Sequence, residues 1–426
     1  MSKILLKNVE ALLPTTKIEK TSIAIQGKMI MAIGSVPQNW QPDTVIDCTD
    51  KLAVPGFVNS HTHAAMTLFR SYADDMLLMN WLQSKIWPAE ANLTGDDVYW
   101  GTQLAIAEMI KSGTTAFLDM YFFMPDVARA VAESGIRAVL SRGMAGVAPT
   151  AQQALIESES FYNEWHGGAD GRITVMLGPH APYTCPPDYL VKVVELAQKL
   201  GSEIHIHLAE TADEVKTCYE KYGKSPIALV NDLGVLDCGV LAAHCVHLSP
   251  DDIAIMAEKS VRVAHNPGSN MKLASGVAPV HELLSSQIVV GLGTDGAASN
   301  NNLDMIEEIR LAALLHKVHH LDPLLIPAAT AVDMATYQGA KAVGLGKITG
   351  KLASGYRADI TLLDMHSPHW YPRHDRLSLL AYSATSADVH TVIVDGRILL
   401  DNRKLTTIDE EKLMAEVEQR GMRLVK

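Results

Sequence analysis

Cysteine is scarce in this chain: five residues (Cys48, Cys185, Cys218, Cys238 and Cys245) among 426. None sits in CxxC spacing and the count is odd, so a disulfide framework is not indicated and reduced thiols in a cytoplasm are expected. Basic charge is also in short supply, 36 Lys and Arg against 48 Asp and Glu, and the net charge of −12 argues against nucleic acid or an anionic membrane as partner. No apolar run approaches the roughly 18 residues of a membrane span. The opening stretch MSKILLKNVEALLPTTKIEK has only a short apolar patch, broken by Lys7 and Glu10, and no small-residue cleavage site, so no signal peptide is expected. Low-complexity segments and sequence repeats of roughly 20–50 residues are missing too, which sets aside solenoids and disordered arrays.

What is present is apolar and rhythmic. Hydrophobic residues make up 48% and charged residues 20%, the profile of a soluble globular protein, and the length exceeds one ordinary core, so two structural units are expected. Eight short runs rich in Val, Ile, Leu and Ala recur: PGFVNSHTH (55–63), TTAFLDMY (114–121), IRAVLSRG (136–143), ITVMLGPH (173–180), EIHIHLAE (203–210), GVLAAHCVH (239–247), VRVAHNP (261–267) and IVVGLGTD (288–295). Runs this apolar suit parallel strands buried on both faces. Segments between them, such as DDVYWGTQLAIAEMIKSG and PPDYLVKVVELAQKLG, carry apolar residues at helical spacing and end in Gly. Strands alternating with helices predict an α/β fold, a (β/α)8 TIM-like barrel over 55–347. The flanks alternate instead, as in SIAIQGKMIMAIG and TVIVDGRILLDN, and predict a small composite β-sandwich domain from 1–54 plus 348–426, with a C-terminal amphipathic helix.

The ends of the eight runs collect titratable groups: His61 and His63, Asp119, Arg142, His180, His207 and Glu210, His244, His265, and Asp295. In a (β/α)8 barrel these ends form the active-site face. Buried polar groups are costly without partners. A lone buried His bonded to backbone is commoner than a ligand, and that bland reading would serve for His61 and His63 alone. It weakens once His207 and Asp295 arrive at matching ends of two other strands. Three imidazoles and a carboxylate suit zinc or a similar divalent ion, at roughly 2.0–2.2 Å. His205 lies one pleat deeper than His207 and reads as a core residue or a supporting partner. Strands two to four end without a lysine or spare bridging carboxylate, which favours one metal over two. Such an ion lowers the pKa of bound water toward about 7. Glu210, just past its strand, is placed to carry a proton between water and substrate, against the alternative of a surface Glu capping AETADEV. His244 is placed to stabilise charge on the attacked carbon. Asp295 doubles as ligand and base.

Together PGFVNSHTH, HLAE, AAHCVHL, HNPGSNMKL and GLGTDGAASNNNLDM resemble the amidohydrolase superfamily, in its branch of mononuclear purine and pyrimidine deaminases, over essentially the whole chain. The resemblance implies His61, His63, His207 and Asp295 as metal ligands. One divalent ion per subunit is implied, zinc first, with iron(II) or manganese(II) as alternatives on the same ligands. Glu210, His244 and Asp295 would be catalytic. Glu90 in IWPAE would accept the ribose hydroxyls, and Trp81, Arg142 and His180, with Glu210 and Asp295, would contact substrate. The implied reaction is attack of metal-bound hydroxide on the adenine ring of 5-methylthioadenosine and/or S-adenosylhomocysteine, or adenosine, giving the inosine analogue and ammonia. No second arginine follows Arg142 in AGVAPTAQQALIESES, which tilts the expectation toward 5-methylthioadenosine or another neutral analogue. From the residues alone, Glu90 reads as a loop carboxylate, Trp81 as a helix-face core residue and Arg142 as half of an ion pair. Alternatives are another ring on the same scaffold (triazine hydrolase, guanine or cytosine deaminase) and a non-enzymatic interaction protein. The expected partner is a small adenosine derivative, with homo-oligomerisation open.

Overall fold

A computed structural model describes residues 2–14 and 17–425. Met1 and Lys426, the outer limits of the expected terminal domain, and Thr15–Thr16 of the opening stretch lie outside them. The N-terminal strands are β1 (Lys3–Leu12), β2 (Ile18–Gln26), β3 (Met29–Ile33), β4 (Thr44–Asp47) and β5 (Lys51–Pro55). The barrel strands follow: β6 (Phe57–Thr62), β7 (Thr114–Tyr121), β8 (Arg137–Met144), β9 (Ile173–Pro179), β10 (Ile204–Leu208), β11 (Val240–His244), β12 (Arg262–His265) and β13 (Val290–Leu292). The chain then returns through β14 (Ile360–Asp364), β15 (Val389–Val394), β16 (Arg397–Asp401) and β17 (Lys404–Leu405).

Strands β6 to β13 pair in parallel in chain order. All residues of β6 and β7 are buried, as two covered faces require, which is why they read as unbroken apolar runs. The seam between the first and last barrel strands is closed by Asp295 N–H donating to His61 O (3.0 Å) and by Asn59, which donates to Thr294 Oγ1 (2.7 Å) and accepts from Thr294 N–H (3.0 Å). Glycine permits this closeness: a Cβ on Gly291 would lie 2.3 Å from Ser60 Oγ, and one on Gly293 2.8 Å from His61 N. The seam therefore fixes Asp295 beside His61.

Both termini build one mixed nine-stranded sheet, in the order β17-β16-β15-β14-β5-β1-β2-β3, with β4 also on β1. Strand β1 pairs with β4 over Ile4–Lys7 and with β5 over Glu10–Ala11, so the sheet forks, and side chains from both lobes (Leu6, Ile23, Ile25, Leu362, Ile393) meet in a core of their own. It joins the barrel's N-terminal end through a buried ion cluster. Arg137 of β8 donates to Asp359 (3.0 and 3.2 Å) and to Asp395 (2.6 Å).

The helix Glu410–Leu424, expected with the terminal β-domain, lies instead on barrel helix Gly95–Lys111. Arg420 donates to Asp97 (3.0 Å) and Asp96 (2.6 Å), and Arg423 to Asp97. The same Asp97 closes the capping box with Thr94 that starts the barrel helix. Among the described residues no helix is long and apolar enough to cross a membrane.

Candidate metal centre and active-site cavity

The imidazoles are set by what their inner nitrogens hold. His63 Nδ1–H donates to Met120 O (2.7 Å) and His207 Nδ1–H to His180 O (2.7 Å). His61 Nδ1 faces His205 Nε2 at 2.9 Å. Ser141 Oγ–H is already committed to Asp119 O (2.8 Å), so at 3.2 Å it accepts from His205 Nδ1–H, which leaves His205 Nε2 an acceptor for His61 Nδ1–H. In all three rings the lone pair is therefore on Nε2, aimed inward. Burial pushes His61 down to about 4 and His207 well below its ordinary value, so both stay neutral and able to ligate.

These nitrogens meet Asp295. His61 Nε2 and His63 Nε2 lie 3.4 and 3.3 Å from Asp295 Oδ1, and His207 Nε2 lies 3.3 Å from His63 Nε2. Tetrahedral ligands at zinc distances sit about 3.3–3.4 Å apart. His61 Nε2 is buried with no hydrogen-bond partner, an arrangement that burial alone would penalise. The other carboxylate oxygen, Asp295 Oδ2, accepts from Ser269 Oγ (2.6 Å) and Ser299 Oγ (2.8 Å). Although burial acts to raise it, the imidazoles around Asp295 hold its carboxyl well below the usual range, so it is ionised. The cluster fits one divalent metal ion. Asp295 (φ +62°) and His244 (φ +70°) both hold left-handed backbone, strain that is tolerated where geometry is fixed by a site.

Above the cluster opens a cavity of about 460 Å3. Its lining includes His63, His207 and Asp295 with Glu210, His244, Glu90, His180, Trp81 and Arg142. His61 lies beneath it, fully buried. Glu210 is buried, and burial raises its carboxyl, so it holds a proton more readily than a free Glu. Its Oε2 is 3.9 Å from His244 Nε2. The helix cap beside it is made by Thr211, not by Glu210. His244 Nδ1–H donates to Asn270 Oδ1 (2.9 Å). Burial opposes protonation of His244, yet the Glu210 and Asp295 carboxylates raise it above its ordinary value.

A model of the amidohydrolase family matches residues 52–399. The chain belongs to the amidohydrolase family. This amidohydrolase is 58% identical over 406 residues (95% of this chain, 94% of the relative) to a Pelotomaculum thermopropionicum protein named 5-methylthioadenosine/S-adenosylhomocysteine deaminase. A relative of the same name from Desulforamulus reducens is 52% identical over 430 residues, covering 100% of this chain and 99% of its own. Among solved structures it is similar to a zinc-bound adenosine deaminase from Xanthomonas campestris, with TM-score 0.95, 33% identity, and coverage of 99% of this chain and 98% of that one.

Several residues of this amidohydrolase's site escaped the sequence reading. Tyr121 Oη–H donates to Glu90 Oε1 (2.8 Å), and burial lifts Glu90 to about 7. Its position at the very end of the second apolar run was the available signal. Ser269, Asn270 and Ser299 sit inside quoted motifs, but short hydroxyls and amides look alike in a loop and beside a carboxylate until the fold brings them together. Arg142 lines the cavity but is engaged elsewhere: Nη2 and Nε reach Glu157 Oε2 at 2.8 and 3.1 Å.

Proposed function

We propose that this amidohydrolase deaminates the adenine ring of 5-methylthioadenosine and/or S-adenosylhomocysteine, with adenosine as a further substrate, releasing ammonia and leaving the inosine analogue. One observation carries this reading. Three of the four candidate ligands (His63, His207 and Asp295), Glu210 with its raised carboxyl and the Tyr121-bonded Glu90 all line one cavity of about 460 Å3, in the range of small-molecule sites. The names of the full-length relatives point the same way.

His61, His63, His207 and Asp295 would hold the ion, with zinc the first choice for three imidazoles and a carboxylate. When bound, it supplies a Lewis acid that makes water nucleophilic near neutral pH. The remaining work falls to side chains. Glu210 delivers its proton to ring N1 and takes one up from the attacking water, a transfer suited to a carboxyl whose affinity for protons is raised by burial. His244, held by Asn270, donates toward the oxygen that becomes bonded to the attacked carbon, where negative charge is stabilised. Glu90, oriented by Tyr121, accepts from the ribose hydroxyls. Trp81, Leu82 and Ile86 wall the cavity against water. The free thiols fit a reducing cytoplasm.

The test is a panel of adenosine, 5-methylthioadenosine, S-adenosylhomocysteine, guanosine and a chlorotriazine, scored by loss of adenine absorbance and by ammonia, beside metal analysis of the purified protein. Ammonia from the adenosine derivatives with about one ion per chain is expected. Turnover confined to guanosine or the triazine would overturn the reading.

A further inference from the structure

We infer that Glu157 sets substrate specificity. By occupying the guanidinium of Arg142 in the cavity wall, it disfavours adenosine derivatives whose 5′ substituent ends in a carboxylate and favours uncharged thioethers. The inference rests on the function proposed above and names which of its substrates the site prefers.

Among the described residues that line the cavity, Arg142 is the only Lys or Arg, against the carboxylates Glu90, Glu210 and Asp295. A carboxylate carried in on the substrate would therefore need Arg142. A guanidinium takes a carboxylate best along its Nε–Nη2 edge, through two parallel hydrogen bonds. That edge is filled by the chain itself: Nε and Nη2 both donate to Glu157 Oε2, at 3.1 and 2.8 Å. A third donor, Nη1, turns back to Gly143 O. One face of the group lies 5.9 Å from the Phe122 ring centroid. Around it the wall is apolar, with Met144, Val147 and Ala148. An incoming carboxylate must displace Glu157 or go without the guanidinium, since this part of the wall, where Val147 is exposed, offers it water and apolar side chains but no second Lys or Arg. A methylthio group meets neither penalty.

Glu157 itself does not line the cavity. It projects from helix Ala151–Trp165, with its side chain 46% exposed. It acts through Arg142, as a positioning residue, and its removal frees a guanidinium that is itself 15% exposed at the cavity wall.

The test compares kcat/KM for 5-methylthioadenosine, S-adenosylhomocysteine and a 5′-thioether ending in a carboxylate alone, in the metal-loaded wild type, E157Q, E157D and the double variant R142M/E157Q. Wild type is expected to prefer 5-methylthioadenosine. E157Q should leave that substrate within about twofold while raising both carboxylated substrates about tenfold or more, mainly through KM, the scale of one charged hydrogen bond. E157D should return toward the wild-type ratio, and R142M/E157Q should lose the gain, a coupling that a merely structural role would not produce. An unchanged ratio in E157Q overturns the inference. So does a fall in S-adenosylhomocysteine turnover alone, which would mean that Glu157 receives the substrate ammonium, and so does a wild type that prefers the carboxylated substrates. In each of those outcomes the adenine ring is still deaminated, so the proposed function stands; no ammonia from any of the three would bring down that reading and this inference with it.

Discussion

At the N-terminal end of the barrel, Arg137 is buried between Asp359 and Asp395, and Arg357 lies 3.7 Å from Asp395. Two cations face two anions, and charge is cancelled in place. At the C-terminal end, His61, His63 and His207 present lone pairs to an ionised Asp295, with Glu210 and Glu90 nearby, and no Arg or Lys pairs with them; His244, whose protonation the carboxylates favour, offsets them in part. Both ends bury charge in a (β/α)8 barrel. The first arrangement balances its charges with its own side chains, although Asp395 Oδ2 keeps no hydrogen bond, and fastens the terminal sheet to β8; the second, on the function proposed, takes its balance from an added cation and a substrate. Departures from self-sufficiency mark where a fold works rather than where it is held.

The largest expected effect tests the open end. Glu210→Gln keeps the shape and removes the proposed proton carrier, so kcat should fall about 10²–10⁴-fold. Metal content and thermal stability should stay at wild-type levels. Turnover near wild type would take Glu210 out of the chemistry and weaken the contrast between the two ends.

The closed end should answer in the other currency. Asp359→Ala leaves Arg137 buried with half its partners, and breaking a buried pair in this way costs about 3–5 kcal/mol. Denaturant unfolding should report that loss, with kcat per folded molecule unchanged. A drop in kcat at full stability would mean that the two ends are coupled through β8.

A smaller effect separates support from ligation within the rim. His205 does not line the cavity above the cluster, yet it accepts from His61 Nδ1–H and so fixes which nitrogen of His61 is free. His205→Phe removes that acceptor, and the affinity for metal should fall about 10–100-fold. Competition with a chelator measures it. Unchanged affinity would show that packing alone orients His61.

The sequence legibility of the two ends differs for a physical reason. Eight parallel strands are covered on both faces, so each reads as a continuous apolar run, and the barrel was visible in the residues. Titratable groups at the ends of such runs stand out against that background, and this is why His61, His63, His207, Glu210, His244 and Asp295 are legible as candidates in the sequence. Pairings across hundreds of residues leave no such local trace. Asp97 with Arg420 and Arg423 draws the last helix onto the barrel, and Arg137 with Asp359 and Asp395 ties β8 to the returning sheet. Tyr121 with Glu90 spans 31 residues and is hidden because a tyrosine ending an apolar run looks like core. Arg142 reads as half of an ion pair and is one, but its partner Glu157, 15 residues on, looks like any carboxylate on a helix face.

The smallest effect is a pH shift at the open end's outer edge. Burial raises Glu90 to about 7, and the hydrogen bond from Tyr121 pulls it back. On the proposed role, the protonated acid would lose an acceptor for the ribose hydroxyls, so kcat/KM for nucleosides should decline as pH falls through about 7. Tyr121→Phe deletes the one side-chain donor that favours the carboxylate, so Glu90 should protonate at higher pH and the acid limb should move upward. The sign follows from the bond, because a donor to a carboxylate stabilises its ionised form. pH profiles of kcat/KM for 5-methylthioadenosine in wild type and Tyr121→Phe measure the shift. If the limb stays where it was in the variant, it belongs to Glu210 or to the metal centre, and Glu90 then sides with the closed end, a half-buried group satisfied by its neighbour and idle in the reaction.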